Sequence, residues 1–441
     1  VFHGSSNPHA LASMTINMAL WFVSLAPLLF PRIAGIPSGW LHPLLLPMLL
    51  SEARSVLKDP SALLAPVLVW FQPLPEFVDH PQLFGWPVDG IWAAMLKRDA
   101  LYLLAALSTL TGFIMLRWRV SAHPTLQPRR LSWVMSASFA LFFAAFALFL
   151  YLQGGIARYF ESFSSGRYLV RVDVGYILGI FSATPAVLTI WYAADRKVVR
   201  NPIFWVAVAL TCAMQFAATG TRSGAIYPLM TLGVLYLWHH RRPPLVLALM
   251  TGLLALIAVG VLGQIRSSVL QGSDTRGQFS LSSITDFDLE ASLERTRTEI
   301  ASRSYSSPAL PTIALVPEHA DYLWGETYLG ALLFFVPRAI WESKPRGVGA
   351  YSQAIIMEKN AYQEGEYTGA GASPGNVAEA YWNFDVFGVI VVFGLFGGVL
   401  SWAVRTYMLN HSSFAVFALY LTLLTDVTGP GSSDYAMFMQ R

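Results

Sequence analysis

The stretch Gly375-Asn-Val-Ala-Glu379-Ala-Tyr-Trp-Asn383-Phe-Asp-Val-Phe-Gly388 closes the only long segment that is not continuously apolar, residues 264–383. On both sides of this segment the sequence consists mostly of apolar runs of about 20 residues, the length of a membrane-spanning helix. Because a spanning segment must satisfy its own backbone hydrogen bonds, such runs predict membrane helices. We therefore predict an all-α polytopic membrane protein with about 11–12 transmembrane helices and one large loop that contains short helices.

The composition supports a membrane protein and excludes several other classes. The chain has 441 residues, of which 55% are hydrophobic and 12% charged, and its mean hydropathy is +0.50. Soluble domains carry about 25% charged residues. The net charge of +3 comes without a basic stripe, which argues against a nucleic-acid partner. The lone Cys212 excludes an internal disulfide and a cysteine-based metal site. Because the chain starts at Val1 and stops just after an apolar run, we expect that either end is cut short.

Lysine and arginine residues predict the orientation of the spans. They cluster at alternate connections, which are therefore predicted to be cytoplasmic, while Lys97 and Arg98 are exceptions on the outer side. The chain then divides into N-terminal transmembrane helices (1–263), a large outer loop (264–378) and C-terminal transmembrane helices (379–441). Within the loop, an interfacial or re-entrant helix is predicted near 328–341. The predicted spans lie near 10–31, 38–51, 61–78, 99–117, 131–152, 174–194, 202–219, 222–240, 243–264, 380–404 and 413–429.

Cations on the outer side run against the positive-inside bias and therefore need a reason. A guanidinium group offers a planar fork of donors that matches phosphate oxygens, so an anionic substrate is one reason. Snorkelling to lipid headgroups, or pairing with nearby carboxylates, is the alternative. The candidates for anion binding are Arg158, Arg167, Arg171, Arg222, Arg266, Arg303, Arg338, Lys344 and Arg346.

Two polar residues of the quoted stretch, Glu379 and Asn383, are four residues apart and share one helix face. A carboxylate and an amide near the outer end of a span are suited to act as general base and as hydrogen-bond partner of a sugar. An internal helix–helix hydrogen bond is the alternative. His319 lies beside Glu318 and Asp321, but the spacing of these side chains is weak as a metal signature, and we predict no metal.

Four short motifs together resemble the Wzy-type polymerases of O-antigen and exopolysaccharide repeat units, over residues 131–404. They are Gly154-Gly155 with Arg158 and Arg167, then Gly220-Thr-Arg222-Ser, then Pro337-Arg338-Ala-Ile-Trp341-Glu-Ser-Lys344-Pro345, and finally Glu379-Ala-Tyr-Trp-Asn383-Phe. The chain departs from the family at Asp385, where the family tends to have glycine after Asn-Phe.

The resemblance implies a fold and a reaction. The fold would be the GT-C-like architecture of multi-pass glycosyltransferases in the bacterial inner membrane, with the active site facing the periplasm. Undecaprenyl-pyrophosphate-linked oligosaccharides would be donor and acceptor, and the growing chain would pass from its lipid to the non-reducing end of a new unit. The reaction would be inverting, metal-independent and without a cofactor, within lipopolysaccharide or exopolysaccharide biosynthesis. A chain-length regulator is a candidate partner besides the lipid bilayer.

Residue roles follow from the same resemblance. Glu379 is the first candidate for the general base, with Glu326 and His319 behind it. Because pyrophosphate leaves with developing negative charge, cations are expected to stabilise it in place of a divalent ion. The first-rank cations are Arg167, Arg171, Arg222, Arg266, Arg338 and Lys344, and Arg158, Arg303 and Arg346 come second. Asn383 is expected to bind the sugar.

Three alternatives stay open at this point. An O-antigen ligase uses the same donor and differs in its acceptor, the lipid A core, which the sequence does not reveal. A polyprenyl-phosphate glycosyltransferase with acidic motifs in its first outer loop fits less well, because the connection at 32–37 has no carboxylate. A transporter of lipid-linked oligosaccharide predicts internal repeats and charges near the membrane midplane, whereas here the charges crowd one face and no repeat is visible.

Overall fold

The structure, a computed structural model, describes residues 82–83, 86–87, 91–116, 131–155, 159, 177, 180, 183–219, 228–229, 232–233, 308–333, 335–336, 340–357, 373–410, 416 and 420. Apart from one short hairpin, the regular elements of these residues are helical. The hairpin joins β1 (Gln82–Leu83) to β2 (Trp86–Pro87), with Leu83 opposite Trp86. The helices are α1 (Ile91–Met115), α2 (Leu131–Leu152), α3 (Thr184–Ala194), α4 (Pro202–Thr219), α5 (Ala309–Leu315), α6 (Glu326–Leu332), α7 (Val348–Met357) and α8 (Asn376–Leu409).

Two helices are long and apolar enough to cross a membrane, Ala93–Met115 within α1 and Asn376–Leu409, which is α8. The continuous apolar runs predicted at 131–152 and 202–219 are confirmed as helices, α2 and α4. The helix predicted at 99–117 begins earlier, at Ile91. The predicted span of 99–117 leaves out Lys97 and Arg98, but the helix includes these charges because Lys97, Arg98 and Asp99 each have a partner within the protein.

Helices α1 and α8 form the most extensive contact between described elements, and they run parallel. Lys97 of α1 lies over Tyr381 of α8, and fifteen residues later Gly112 meets Gly394. A Cβ atom at Gly112 would collide with the carbonyl oxygen of Gly394, and one at Gly397 with the carbonyl oxygen of Thr109. Small residues allow such close backbone approach between membrane helices. Because the contacts follow the same order along both helices, the N-terminal ends of α1 and α8 lie at the same end of the pair.

Next to this pair, α5 packs on α1, α8 and α7, while α3 packs on α2 and on α4 through aromatic rings. Trp191 of α3 contacts Phe139 of α2 at 5.8 Å and Phe204 of α4 at 5.6 Å between ring centroids. Between α3 and α4, a five-residue 3₁₀ helix spans Arg196–Arg200, and the side chain of Asp195 accepts a hydrogen bond from the amide of Lys197.

The helix predicted near 328–341 is shorter than expected. Helix α6 begins at Glu326 and ends at Leu332, and the chain then turns, with Val336 N bonded to Leu333 O at 3.1 Å. The turn comes before Pro337, consistent with the tendency of a residue that precedes proline to avoid helical conformation. Outside the described residues lie the predicted spans near 10–31, 38–51, 61–78 and 243–264, and of those near 222–240 and 413–429 the structure describes only isolated positions.

Candidate functional site

Helix α8 is broken at Phe384 and Asp385, inside the stretch that ends the polar segment. Phe384 has φ −144° and ψ 25°, and Asp385 has φ 56° and ψ −154°, neither of which is helical. The break leaves carbonyls of the first half available to outside donors, as at any helix end. Trp382 O accepts a hydrogen bond of 3.0 Å from Leu323 N. The kink thus docks a loop onto the helix.

The docked segment, which we call the 316–325 loop, connects α5 to α6. Tyr381 Oη donates to Val316 O at 3.2 Å, and Trp382 Nε1 donates to Asp321 O at 3.0 Å. At the end of the loop, Gly325 N donates to Asn383 Oδ1 at 3.0 Å. Every one of these bonds comes from the last turn of α8 before the kink. The sequence Tyr381-Trp382-Asn383 therefore fixes the loop.

Backbone strain concentrates at the same crossing. Among the described residues, two that are not glycine have positive φ, Trp324 at 46° and Asp385 at 56°. Gly325, which follows Trp324, has φ 91°, and a Cβ atom there would lie 2.8 Å from Cζ of Phe384. Positive φ in a bulky or non-glycine residue costs about 1–3 kcal/mol and clusters at functional sites. The two strained residues thus mark one place, where the loop meets the kink.

Lys97 of α1 reaches this place from the neighbouring helix. Its Nζ atom donates to Ile313 O at 3.2 Å and to Val316 O at 3.1 Å, and it lies 4.5 Å from the centroid of the Tyr381 ring. The charges of Asp385 and Glu318 both act on this ammonium group. A cation at the C-terminal end of α5 also complements the helix dipole. Lys97 therefore joins α1, α5 and α8 and brings a positive charge to the kink.

The next two residues of α1 form a buried ion pair. Arg98 donates from Nε at 3.0 Å and from Nη2 at 2.9 Å to Oδ1 of Asp99, and the two side chains are 3% and 0% exposed. Buried charges are tolerated when they are paired and hydrogen-bonded. The apolar helix thus carries three consecutive charged residues close to its N-terminal end without leaving them unsatisfied.

Glu379 and Asn383 lie on the buried side of α8, and both are 0% exposed. The Nδ2 group of Asn383 donates to Thr327 Oγ1 at 2.8 Å and to Glu379 O at 2.9 Å, while its Oδ1 accepts from Gly325. Both amide hydrogens are therefore engaged, and in this conformation Asn383 holds α6 and the loop instead of presenting its amide to a sugar. Catalysis by Glu379 stays a prediction, and this carboxyl is enclosed by protein.

The other described candidates lie around the 316–325 loop. His319 is in the loop and Glu326 is the first residue of α6, and both are exposed. Lys344 donates from Nζ to Val336 O at 3.0 Å, so its ammonium is held beside the turn after α6. Arg346 donates its backbone amide to Tyr351 Oη at 3.5 Å, and the Tyr351 ring lies 6.3 Å from that of Trp382. The structure brings these residues to the same end of α8 as Glu379 and Asn383.

The remaining candidates for anion binding lie outside the described residues. They are Arg158, Arg167, Arg171, Arg222, Arg266, Arg303 and Arg338. Their predicted contact with phosphate stays a prediction. As for metals, no three His, Cys, Asp or Glu side chains converge within the part of the chain that the structure describes.

Sequence reasoning missed two participants, Lys97 and Trp324. Lys97 carried a signal, since it was an exception to the orientation predicted from charge, and the structure places it against the segment that was predicted to face outward. Nothing in the sequence indicates a role for Trp324, which is 75% exposed, because its unusual backbone conformation depends on the docking of the loop. Asp385 was noted as a departure from the family pattern, and not as a site residue.

In comparisons with known proteins, the chain matches no family model, no curated protein and no solved structure.

Proposed function

We propose that this chain is a polytopic membrane glycosyltransferase that polymerises lipid-pyrophosphate-linked oligosaccharide repeat units. The observation that carries the proposal is the broken helix α8, where the strained, exposed Asp385 and the docked 316–325 loop meet at one point. A purely structural membrane helix has no need of strain at an exposed carboxylate. Strain that surrounding structure holds in place is typical of a site that binds or transforms a ligand.

The position of the kink suits a substrate that is part lipid and part sugar. Directly after Asp385, α8 exposes a row of large apolar side chains, including Val386, Phe387 and Ile390 at 43%, 70% and 44%. Before Asp385, residues 376–383 are buried and bonded to the loop. A charged side chain in a lipid-facing helix is expensive unless it lies at the interface or lines a polar cavity. The boundary between the two halves is therefore where a lipid chain would meet its pyrophosphate.

The proposed reaction needs a cationic grip and a base. Pyrophosphate leaves from the anomeric carbon of the donor, and arginine or lysine side chains stabilise its developing charge. Lys344 lies beside the turn after α6 and Arg346 lies beside Tyr351 of α7, and the arginines predicted from sequence supply the rest of the grip. A carboxylate on α8 accepts the proton of the acceptor hydroxyl. The proposed partners are undecaprenyl-pyrophosphate-linked donor and acceptor units in the bacterial inner membrane, with the site facing the periplasm.

Turnover of lipid-linked repeat units tests the proposal. The purified protein in nanodiscs receives a panel of undecaprenyl-pyrophosphate-linked oligosaccharides in the presence of EDTA, and the products are resolved on a gel. We expect a ladder of polymers that is lost in Arg222→Ala and in Arg338→Ala. The matched control is Arg405→Ala, since Arg405 lies twenty residues beyond Asp385, or about 30 Å along the helix. This variant should keep the ladder.

The other outcomes separate the rival functions. Transfer of a single chain onto a lipid A core, without a ladder, would make the protein a ligase. Passage of lipid-linked sugar across a vesicle membrane, without transfer, would make it a transporter. A ladder that survives in both arginine variants but disappears with EDTA would remove the metal-independent mechanism and leave the polymerase.

A further inference from the structure

We propose that Asp385 is the general base of the reaction, the group that takes the proton from the attacking sugar hydroxyl. The inference rests on the proposed function and assigns a role to a residue that interrupts α8. Three independent features of the structure point to Asp385: its access to the outside, its backbone conformation and its charged surroundings.

Access distinguishes Asp385 from the other acidic residue of this part of α8. A base must come within hydrogen-bond distance of the proton that it removes. Glu379 is 0% exposed, inside the contact of α8 with its neighbours, whereas the side chain of Asp385 is exposed. Substrate can therefore approach Asp385 without any rearrangement of the described residues, and it cannot approach Glu379 in the same way.

The backbone at Asp385 is one that glycine would adopt more easily. Its φ of 56° with ψ of −154° lies next to a region that is almost exclusive to glycine. Nearby, Gly325 and Gly388 show that glycine is used where this crossing requires it, because a Cβ atom at either position would collide with Phe384. A side chain at residue 385 is thus kept in spite of strain. The strained backbone at residue 385 thus carries an exposed carboxylate where glycine would be accommodated more easily.

The surroundings of Asp385 supply a positive charge. The charge of the Asp385 carboxylate acts on the ammonium group of Lys97, which lies over the Tyr381 ring. Glu318 is the other carboxylate that acts on the same ammonium. Lys97 is anchored by two carbonyl oxygens of α5 and its C-terminal cap, Ile313 O and Val316 O, so it cannot swing away. A cation held by α5 therefore faces the same crossing as the Asp385 carboxylate.

The proposed step is a displacement at the anomeric carbon of the donor. The hydroxyl oxygen at the non-reducing end of the acceptor forms a bond to the anomeric carbon of the donor, while the bond from that carbon to the pyrophosphate oxygen breaks. The electron pair of the broken bond stays on lipid pyrophosphate, and the hydroxyl proton moves to an oxygen of Asp385. The protonated carboxyl then releases this proton to water before the next cycle.

A turn-forming role is the competing explanation, because aspartate tolerates positive φ better than most residues. Asparagine separates the two roles. It has the same shape and tolerates the left-handed region at least as well, but its amide does not act as a base. Glycine separates them further, since it relieves the strain and leaves a space in which a small external carboxylate can replace the missing group.

The experiment measures polymer formation by the full chain in nanodiscs for the parent, Asp385→Asn and Asp385→Gly. We expect kcat to fall about 10²–10⁴-fold in both variants, the usual contribution of a general base, with binding of the lipid-linked substrate retained. Sodium formate should restore part of the turnover of Asp385→Gly and none of that of Asp385→Asn. The unfolding midpoint of Asp385→Gly should rise, because glycine relieves the strain at this position.

The control is Asp195→Asn, at an exposed carboxylate that accepts a hydrogen bond from Lys197 N, which asparagine also accepts. It should leave turnover unchanged. A parent chain that forms polymer together with an equally active Asp385→Asn or Asp385→Gly would overturn the assignment of the base alone. A parent chain that forms no polymer would overturn the proposed function, and the assignment with it. Loss of turnover in Asp385→Gly that formate does not restore would reduce Asp385 to a structural residue.

Discussion

The two halves of α8 are held by different kinds of contact. In the half that follows Asp385, Gly397 of α8 and Gly112 of α1 let the two helices lie directly against each other, and the contact is between backbones and apolar side chains. In the half that precedes Asp385, the contacts are hydrogen bonds from Tyr381, Trp382 and Asn383 to a loop. Close packing defines the distance between two helices, while directional hydrogen bonds define the conformation of an irregular segment.

The difference shows where the fold ends and the site begins. The half with glycines would hold two membrane helices together in any protein that has them. The half with hydrogen bonds is specific to this chain, because each bond needs its own donor, acceptor and loop geometry. The kink at Asp385 separates the two halves, so a change on one side should leave the other largely intact. Substitutions can therefore disrupt one half at a time, and the free energy of unfolding of each variant is measured by denaturant titration in mild detergent.

The largest effect is expected from Arg98→Met, next to the half with hydrogen bonds. Removing the guanidinium leaves Asp99 as a buried charge with its close partner lost, and breaking a buried pair in this way costs about 3–5 kcal/mol. The control is the double change Arg98→Met with Asp99→Leu, which removes both charges and should recover most of the loss. If the double variant is as unstable as the single one, the buried pair is not the cause.

The packing of the half with glycines can be disrupted by a substitution at Gly397. A Cβ atom there collides with the carbonyl oxygen of Thr109 and lies 2.8 Å from Phe113 N, and these are backbone atoms that cannot rotate away. Gly397→Ala should therefore push α1 and α8 apart and cost about 2–3 kcal/mol, as overpacking of a tight contact does. Gly394→Ala is the matched control, since its Cβ would meet only Ser108 O at an ordinary 4.0 Å. Equal effects of the two changes would contradict the close approach at Gly397.

The sequence predicts some parts of this arrangement and not others, and the two groups again differ in the kind of contact that holds them. The helices α2 and α4 were predicted from unbroken apolar runs, and an apolar run of sufficient length is by itself enough to specify a helix in a membrane. The start of α1 was not predicted correctly, because Lys97, Arg98 and Asp99 are tolerated within an apolar helix only through contacts with α5 and with each other. The contacts of Lys97 with Ile313 O and Val316 O join residues more than two hundred positions apart, which a local pattern cannot reveal.

The kink in α8 was beyond sequence reasoning for a similar reason. Neither glycine nor proline occupies the break, and the pattern around Asn383 reads as a continuous span. The break exists because Asn383 and Phe384 dock against Gly325, and that glycine belongs to a different segment. Sequence reasoning did identify Glu379 and Asn383 as one helix face. It left open whether the face meets substrate or protein, and for Asn383 the structure shows contacts with protein.

The half with hydrogen bonds can be weakened without touching any charge, by Asn383→Ala. The change leaves Gly325 N and Thr327 Oγ1 without their present partner, which should cost about 2 kcal/mol and loosen the 316–325 loop. Limited proteolysis of the loop should become faster. Asn410→Ala is the control, because the hydrogen bond from Asn410 Nδ2 to Thr406 O at 3.0 Å joins the end of α8 to its own last turn. Faster cleavage of the loop in both variants would mean that Asn383 does not hold it specifically.

The smallest effect is expected from Tyr381→Phe. The change removes the 3.2 Å hydrogen bond to Val316 O but keeps the ring that lies under the Lys97 ammonium. Val316 O still accepts from Lys97 Nζ at 3.1 Å, so no buried acceptor is left empty, and the cost should be about 1 kcal/mol.

Lys97→Met should cost more, since it removes two hydrogen bonds and the cation–ring contact together. Because both side chains donate to one carbonyl oxygen, Val316 O, the double variant should lose more than the sum of the single changes, as expected for two donors that share one acceptor. Strict additivity would instead mean that Lys97 and Tyr381 stabilise the loop independently, and that the fixed cation beside Asp385 does not depend on α8.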